Sequence, residues 1–97
     1  MNTIRIGVIG VGHLGFHHAR VYSGLDGVQL VGVVDSDIDR AMKASAEFGA
    51  PMFTACEELL AEGVDAVSVV VPTSAHRDVA LQCIEAGADV LVEKPIA

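Results

Sequence analysis

Apolar runs alternate with amphipathic stretches along the whole chain. Nearly continuous apolar segments at 3–9, 28–34, 66–71 and 89–92 are typical of parallel strands covered on both faces, and a shorter one lies at 52–53. Between them, apolar positions with a period near 3.6 predict helices over 12–23, 36–48, 54–61 and 73–86. This alternation predicts an α/β fold: a doubly wound parallel sheet in the order 3-2-1-4-5, with helices on both faces.

Each longer helix is expected to bury one apolar stripe. The predicted stripes are Leu14, His18, Val21, Tyr22 and Leu25 in the first helix, Ile38, Ala41, Met42, Ser45 and Phe48 in the second, and His76, Val79, Ala80, Cys83 and Ile84 in the last. Ser36 or Asp37 is expected to cap the second helix, and Thr73 or Ser74 the last. The run T-A-C-E at 54–57 has the pattern of a capping box for the short helix.

The first strand runs directly into Gly10-Val11-Gly12-His13-Leu14-Gly15, which is G-x-G-x-x-G between a strand and a helix. In a Rossmann-type fold Gly10 permits a tight turn, Gly12 lets the backbone approach a pyrophosphate, and Gly15 lets the helix lie close to the strand. The free N–H groups and the dipole of the helix then face the phosphates, and His13 lines the loop. The alternative is a glycine-rich turn in another kind of α/β protein.

Asp35 follows the second strand at the position expected for a carboxylate that binds the adenosine ribose. A phosphate on the 2′-hydroxyl would meet this carboxylate and that of Asp37, and the like charges repel. Arg40 relieves part of that repulsion. The sequence therefore predicts NAD as the cofactor, with NADP disfavoured.

The predicted strand order places the switch point between strands 1 and 4, where ligands bind at the carboxyl ends of the strands. Four segments with polar or conformationally special residues meet there: residues 10–15, Asp35, 72–76 and 93–95. The sequence therefore predicts a small-molecule site at this edge of the sheet.

Charge and composition exclude several partners. The 97 residues suffice for one domain, and their net charge of −7 disfavours binding to nucleic acid or to an anionic membrane. Cys56 and Cys83 lack metal or redox spacing and are expected to be reduced packing residues of a cytoplasmic protein. No metal site is predicted from the spacing of His, Cys and Asp.

Three stretches together carry a resemblance: G-V-I-G-V-G-H-L-G-F-H-H-A, V-V-D, and H-R-D-V-A-L-Q-C-I-E-A-G-A-D-V-L-V-E-K-P. They resemble the N-terminal part of the glucose–fructose oxidoreductase / inositol dehydrogenase (Gfo/Idh/MocA) family, and E-K-P is the most specific mark. The resemblance implies an NAD- or NADP-binding domain of an enzyme. Such an enzyme transfers a hydride between the nicotinamide and a hydroxyl-bearing carbon of a sugar, cyclitol or nucleotide sugar.

The same resemblance assigns roles to individual residues. By this resemblance Lys94 is the catalytic group that hydrogen-bonds the substrate hydroxyl and assists its deprotonation. This role requires the pKa of the Lys94 amine to be lowered toward neutrality. Glu93 either contacts the nicotinamide side or pairs with Lys94. Many family members read T-P after the fourth strand, whereas this chain has the order reversed. The cofactor-binding set predicted from motif and resemblance is Gly10, Gly12, His13, Leu14, Gly15, Asp35, Pro72, Thr73, His76, Glu93, Lys94 and Pro95.

The remaining expectations concern the histidines and the whole protein. His18 is expected to be a core residue with a satisfied hydrogen bond, His17 a surface residue, and His76 either core or cofactor ligand. Residues 1–97 are interpreted as one dinucleotide-binding domain of a longer homo-oligomeric protein whose substrate domain follows. The alternative function is a nucleotide-sensing or structural module without chemistry, and Lys94 argues against it.

Overall fold

A computed structural model describes residues 3–70 and 73–92 of the chain. Strands and helices alternate along this part as the hydrophobic pattern predicts. The elements are β1 (Ile4–Ile9), α1 (His13–Ser23), β2 (Val28–Val34), α2 (Ile38–Phe48), β3 (Met52–Phe53), α3 (Cys56–Ala61), β4 (Ala66–Val69), α4 (Thr73–Glu85) and β5 (Asp89–Val92).

The strands form one parallel sheet in the order β3-β2-β1-β4-β5. The last residue of the central strand, Ile9, pairs with Val34 of β2 on one side and with Val69 of β4 on the other. The carboxyl ends of three neighbouring strands are therefore level with one another. The predicted topology is confirmed, including the switch point between β1 and β4.

Helices cover both faces of the sheet, as predicted. On one face, α1 and α2 pack over a core cluster of Val8, Val11, Ala19, Val33 and Ala44. On the other, α3 and α4 pack over a second cluster, which consists of Ile9, Val31, Val34, Leu59, Val67, Val69 and Cys83. The successive residues Val8 and Ile9 of β1 belong to different clusters, as do Val33 and Val34 of β2, because successive side chains of a strand point to opposite faces.

Two paired glycines form a socket in the sheet. Gly7 of β1 lies opposite Gly32 of β2, and the fully buried Leu59 of α3 packs onto both. A Cβ on Gly7 would lie 2.5 Å from Cδ2 of Leu59, and one on Gly32 would lie 2.6 Å from Cε2 of Phe53. The absence of two side chains thus creates the space that α3 and β3 fill.

Both ends of α2 are closed by hydrogen bonds to its capping residues. Asp37 is its N-cap, and Oδ1 accepts from the backbone N–H groups of Asp39 at 3.0 Å and Arg40 at 3.3 Å. At the other end Gly49 has a φ of +69°, and its N–H donates to Ser45 O at 2.9 Å. Of the two predicted caps, Asp37 rather than Ser36 occupies the position.

Three predicted details are wrong. α3 begins at Cys56, so its N-cap is Ala55, and Thr54 lies one residue too early for a capping box. The fourth strand was predicted to run to Val71 but ends at Val69. Val70 lies beyond the strand, and Val71 lies outside the described residues. α4 contains Thr73 and Ser74 as helical residues, so neither occupies the cap position.

The buried stripes are narrower than predicted. The closest approach of α1 and α2 to the sheet is made by small residues, among them Gly15 and Ala19 in α1 and Ala41 and Ala44 in α2. Larger apolar side chains at the margins of each stripe therefore remain exposed and do not pack against the sheet. Five residues predicted to be buried are 44% to 59% exposed: Val21, Leu25, Ile38, Met42 and Ile84.

Candidate dinucleotide-binding site

The loop from β1 to α1 places the glycine motif at the carboxyl end of the central strand. Gly10 has a φ of +91°, which L side chains rarely adopt, and its N–H donates to Val34 O at 2.6 Å. Gly12 is the N-cap of α1 and supplies no side-chain cap to the helix. The backbone N–H groups of the first turn and the positive end of the helix dipole are therefore directed at the loop, which suits an anion.

Gly15 joins α1 to the turn by close packing. A Cβ at this position would overlap the carbonyl oxygen of Gly10 and would lie 3.5 Å from Cβ of Val70. The backbone carbonyl belongs to a tight turn and cannot move away as a flexible side chain would. Any side chain at position 15 would therefore push α1 away from the loop.

Asp35 connects the loop to the end of β2. Asp35 is only 9% exposed. Its Oδ2 accepts a hydrogen bond from the N–H of Val11 at 3.0 Å, and its Oδ1 accepts one from the N–H of Asp37 at 2.8 Å. An ionised carboxylate offers about four lone-pair positions, so each oxygen retains capacity for a ligand hydroxyl. The carboxylate thus holds the glycine loop and remains able to accept hydrogen bonds at the end of the strand.

A cleft opens beside the loop, between α1 and α2. Its volume is about 660 Å³, and three of its lining side chains are cationic in a chain of net charge −7. The aromatic ring of Phe16 lies between two of them, 5.7 Å from Cζ of Arg20 and 5.2 Å from Nζ of Lys43. The lining residues are Val11, Gly12, Leu14, Phe16, His17, Arg20, Arg40 and Lys43.

His18 lies one turn before Tyr22 on α1. Its ring meets that of Tyr22 edge-on with centroids 6.2 Å apart, and the Tyr22 hydroxyl shares a 2.5 Å hydrogen bond with Oγ of the buried Ser68. Nδ1 of His18 is buried but has no hydrogen-bond partner among the described residues. His18 is half-buried and its Nδ1 has no partner among the described residues, so the prediction of a core histidine with a satisfied hydrogen bond is wrong, while His17 is exposed as predicted.

Both cysteine thiols have raised pKa values, which disfavours the nucleophilic thiolate at neutral pH. Burial, and to a smaller extent the charge of Cys56, raises the pKa of the Cys83 thiol to about 11. Burial followed by the charge of Glu57 also raises the pKa of Cys56, and both thiols are free. Within residues 3–70 and 73–92, no group of three or more His, Cys, Asp or Glu is arranged to hold a metal ion.

Several predicted site residues lie wholly or partly outside the described structure. Thr73 and His76 are within α4 and His13 begins α1, but the description covers only their backbone. Outside the described residues lie Pro72, Glu93, Lys94 and Pro95. The structure therefore brings together Gly10, Gly12, Leu14, Gly15 and Asp35 at one edge of the sheet.

Sequence reasoning missed two features of this edge. The bond from Val11 N–H to Asp35 joins residues that are 24 positions apart, and no pattern in the sequence signals it. The cationic cleft also depends on packing, because Arg20 and Lys43 come from different helices.

Among the helices described, none is long and apolar enough to cross a membrane.

Comparison with known proteins agrees with this geometry. The model of the oxidoreductase family with an NAD-binding Rossmann fold, Gfo/Idh/MocA, matches residues 4–97. The UDP-N-acetylglucosamine 3-dehydrogenase of Acidithiobacillus ferrooxidans is 49% identical over 95 residues, covering 98% of this chain and 29% of that protein. Inositol 2-dehydrogenase 1 of Saccharopolyspora erythraea is 39% identical over 99 residues, again 98% of this chain and 29% of the relative.

A solved structure gives the same picture. GenD2 from gentamicin A biosynthesis, crystallised in complex with NAD, superimposes with a TM-score of 0.92 at 38% identity, covering 98% of this chain and 28% of that one. The chain thus spans less than a third of the length of the relatives it matches.

Proposed function

The chain belongs to the Gfo/Idh/MocA oxidoreductase family, and on that premise we propose that it is the NAD-binding part of a longer dehydrogenase. The enzyme transfers a hydride between the nicotinamide and a hydroxyl-bearing carbon of a sugar, cyclitol or nucleotide sugar. The observation that carries the proposal is the bond from Val11 N–H to Asp35, which holds the glycine turn and the Asp35 carboxylate side by side.

The described residues fit a dinucleotide. The turn at Gly10 and the side-chain-free N-cap Gly12 leave the backbone amides of α1 open to a pyrophosphate. The oxygens of Asp35 accept the hydroxyls of the adenosine ribose through the lone pairs that Val11 and Asp37 do not use. Bound NAD supplies the hydride acceptor, and the chain's own residues hold and orient it.

Lys94 is proposed as the group that acts on the substrate. It follows β5 by two positions, and β5 pairs with β4 at the carboxyl-end edge where ligands bind in such sheets. From there its amine hydrogen-bonds the reacting hydroxyl and takes up its proton, for which it must be neutral before the transfer. Glu93 and Pro95 flank it, and we propose contacts with the nicotinamide side for both.

Relatives supply the substrate classes for the proposal. The compared proteins are named as dehydrogenases of UDP-N-acetylglucosamine and of inositol. Both substrates carry secondary hydroxyls on a ring, so the shared chemistry is the oxidation of a ring carbinol. A screen of the full-length protein with NAD against inositols, free sugars and UDP-sugars distinguishes these classes, and a protein inactive on all of them contradicts the proposal.

The binding part is tested separately by Asp35→Asn. We expect the dissociation constant of NAD to rise at least about tenfold, equivalent to 1.4 kcal/mol, because an amide replaces the carboxylate at the ribose. Asp39→Asn is the matched control: it removes the same charge from the exposed first turn of α2. Titration calorimetry of both variants checks this, and an equal effect of the two substitutions would contradict the role of Asp35.

We also propose a cytoplasmic, homo-oligomeric protein. The free thiols Cys56 and Cys83 support a reducing compartment. Three apolar side chains are about half exposed: Val21 near the end of α1, Leu25 in the turn after it and Leu91 on β5. They support association with further protein surface. Light scattering over a concentration series measures the oligomeric state.

A further inference from the structure

On the α1 side of the sheet, the helices cover only part of its width. There α1 and α2 pack over β1 and β2, whereas the helix that packs on β5 is α4, which belongs to the opposite side. β5 forms the edge of the described sheet beside β4. Among the described helices, none therefore packs on the α1 side of β5.

The edge strand presents an apolar side chain on that side. Leu91 of β5 lies opposite Ser68 of β4, which in turn lies opposite Val8 of β1, so the three side chains point to one face. Val8 belongs to the core cluster under α1 and α2, which identifies the face. Ser68 is fully buried there and shares a 2.5 Å hydrogen bond with the hydroxyl of Tyr22 from α1. Leu91, one strand farther from α1, is 49% exposed, so the cover ends between β4 and β5.

α1 presents a polar atom without a partner beside this edge. His18 precedes Tyr22 by one turn, so the two side chains are neighbours on the helix surface, and their rings meet edge-on with centroids 6.2 Å apart. Nδ1 of His18 is buried and has no hydrogen-bond partner among the described residues. Buried polar atoms nearly always have a partner, because an unpaired one loses its hydration without compensation. The imidazole therefore requires a donor or acceptor that the described residues do not supply.

Val21 extends this surface along α1. It lies three positions after His18, and residues at this spacing are neighbours on a helix. The hydrophobic pattern predicts Val21 to be buried, yet it is 44% exposed. A single exposed apolar residue is common on protein surfaces, but here two of them accompany a buried polar atom without a partner in the described part. We call His18, Val21 and Leu91 the open face, and its pattern is that of an interface.

Two occupants could cover the open face: a second copy of the protein, or the rest of a longer polypeptide. The chain spans 29% of the length of each of two relatives, so a protein of their size has more than two thirds of its residues elsewhere. β5 is the last described element and borders the open face, so a continuing polypeptide starts beside it. A tethered segment acts at an effective concentration on the order of millimolar, which exceeds that of a second copy in solution. Both considerations favour the continuing polypeptide as the occupant.

We propose that the polypeptide beyond residue 97 packs on the open face, with apolar side chains against Val21 and Leu91 and a hydrogen-bonding group at Nδ1 of His18. The inference rests on the proposed function, because it takes the chain to be one part of a longer enzyme. α1 begins at the glycine loop, so this contact joins the proposed substrate-binding part to the helix whose first turn faces the pyrophosphate. A homo-oligomer then uses surface that this contact leaves free.

Cysteine labelling of the full-length protein tests whether the open face is covered. Val21→Cys and Leu91→Cys place a thiol on it, and Met42→Cys is the matched control. Met42 is 54% exposed and lies on α2, which packs on β3 at the opposite edge of the sheet. Mass spectrometry measures the rate of alkylation by iodoacetamide at each introduced thiol, and this rate is divided by that of the urea-unfolded protein. We expect both open-face thiols to react at least about tenfold more slowly than the control, because reaction requires local opening of the contact.

The labelling rates also identify the occupant. We expect them to be independent of protein concentration, as an intramolecular contact requires. Protection that grows with protein concentration would overturn the inference, because a second copy would then cover the face. Equal normalised rates at the three sites would overturn it as well.

His18→Leu and His18→Asn, each combined with Leu91→Cys, test the hydrogen bond at Nδ1. Leucine leaves the proposed partner group unpaired, so we expect labelling at position 91 to accelerate at least about threefold. Asparagine places an amide near the position of Nδ1 and should restore part of the protection. His17→Leu makes the same substitution at the exposed neighbouring residue and should change the rate by less than about twofold. A rate unchanged by His18→Leu would overturn the contact at Nδ1.

The substrate screen of the proposed function measures a different quantity from these labelling rates. An active dehydrogenase with equal labelling rates at the three sites contradicts the inference alone. A protein that is inactive on every substrate but has a protected open face contradicts the proposed function alone. The two failures are therefore distinguishable.

Discussion

The polar groups at the two ends of the central strand, β1, have opposite roles. At the amino end, the half-buried Arg5 of β1 donates from Nε to Gly63 O at 2.7 Å and from Nη2 to Glu62 O at 2.9 Å. Its backbone N–H also donates to Oδ2 of Asp65 at 2.9 Å. These groups are all bound to other parts of the protein, and they fasten the end of α3 to β1.

At the carboxyl end the same strand leaves polar groups for a ligand. Gly10 and Gly12 expose backbone, no side chain caps α1, and Asp35 retains lone pairs after binding two N–H groups. The comparison shows that one strand can serve stability at one end and binding at the other. Substitutions at the amino end should therefore affect stability, and those at the carboxyl end should affect ligand binding or turnover.

Removal of the proposed catalytic amine sharpens this contrast most. We expect Lys94→Ala in the full-length protein to lower kcat by at least about 100-fold, the usual contribution of a positioned acid–base group. NAD should still bind, because the contacts proposed for its phosphates and adenosine are at 10–15 and Asp35. Steady-state kinetics together with NAD titration check both parts. A kcat within about tenfold of the parent, or 1.4 kcal/mol of barrier, would remove Lys94 from its role.

Gly15→Ala tests whether the carboxyl-end turn must be closely packed. The new Cβ overlaps the carbonyl of Gly10, so we expect NAD affinity to fall at least about tenfold, or 1.4 kcal/mol. Gly63→Ala is the matched control at the amino end: φ is +82° and no atom lies within 4 Å of the added Cβ, so only backbone strain of about 1–2 kcal/mol is expected. Equal loss of NAD affinity in both would break the comparison.

Arg5→Met tests the amino end directly. Loss of its hydrogen bonds to two carbonyls should lower the free energy of unfolding by about 1–2 kcal/mol. The dissociation constant of NAD should stay within about twofold, which is only 0.4 kcal/mol. Urea unfolding and NAD titration of the same variant give the two numbers. A weakening of NAD binding in proportion to the lost stability would show that the two ends are coupled.

A further expected effect concerns the core beneath both ends. Since burial raises the pKa of Cys83 from 9.0 to about 11, the folded protein disfavours the thiolate more than the unfolded chain does. The resulting stabilisation is complete below pH 9 and is lost as pH rises toward 11. Urea unfolding over this pH window should show the decline, and Cys83→Val should reduce its slope. An identical slope in the variant would assign the decline to other groups.

The hydrophobic pattern predicted the positions of the strands and helices, because these follow from the spacing of apolar runs. The strand order was predicted from the right-handed crossovers of a doubly wound sheet. The pattern failed for Val21 and Leu25, since periodicity identifies an apolar face but not how much of that face a neighbour covers. The glycine motif and Asp35 were found because each follows a strand. Arg20 and Lys43 were missed as a pair, because only the packing of α1 on α2 brings them together.

The glycine socket has a consequence for how the sequence can evolve. Position 59 accepts a leucine only while positions 7 and 32 lack side chains, so the three positions form one unit of variation. An alanine at position 7 should be tolerated together with a smaller residue at 59 and rejected without it, whereas a Cβ at position 32 would still lie 2.6 Å from Cε2 of Phe53 and needs a smaller residue there as well. In an alignment of homologues, substitutions at these three positions should therefore co-vary, although they are separated by up to 52 positions along the chain.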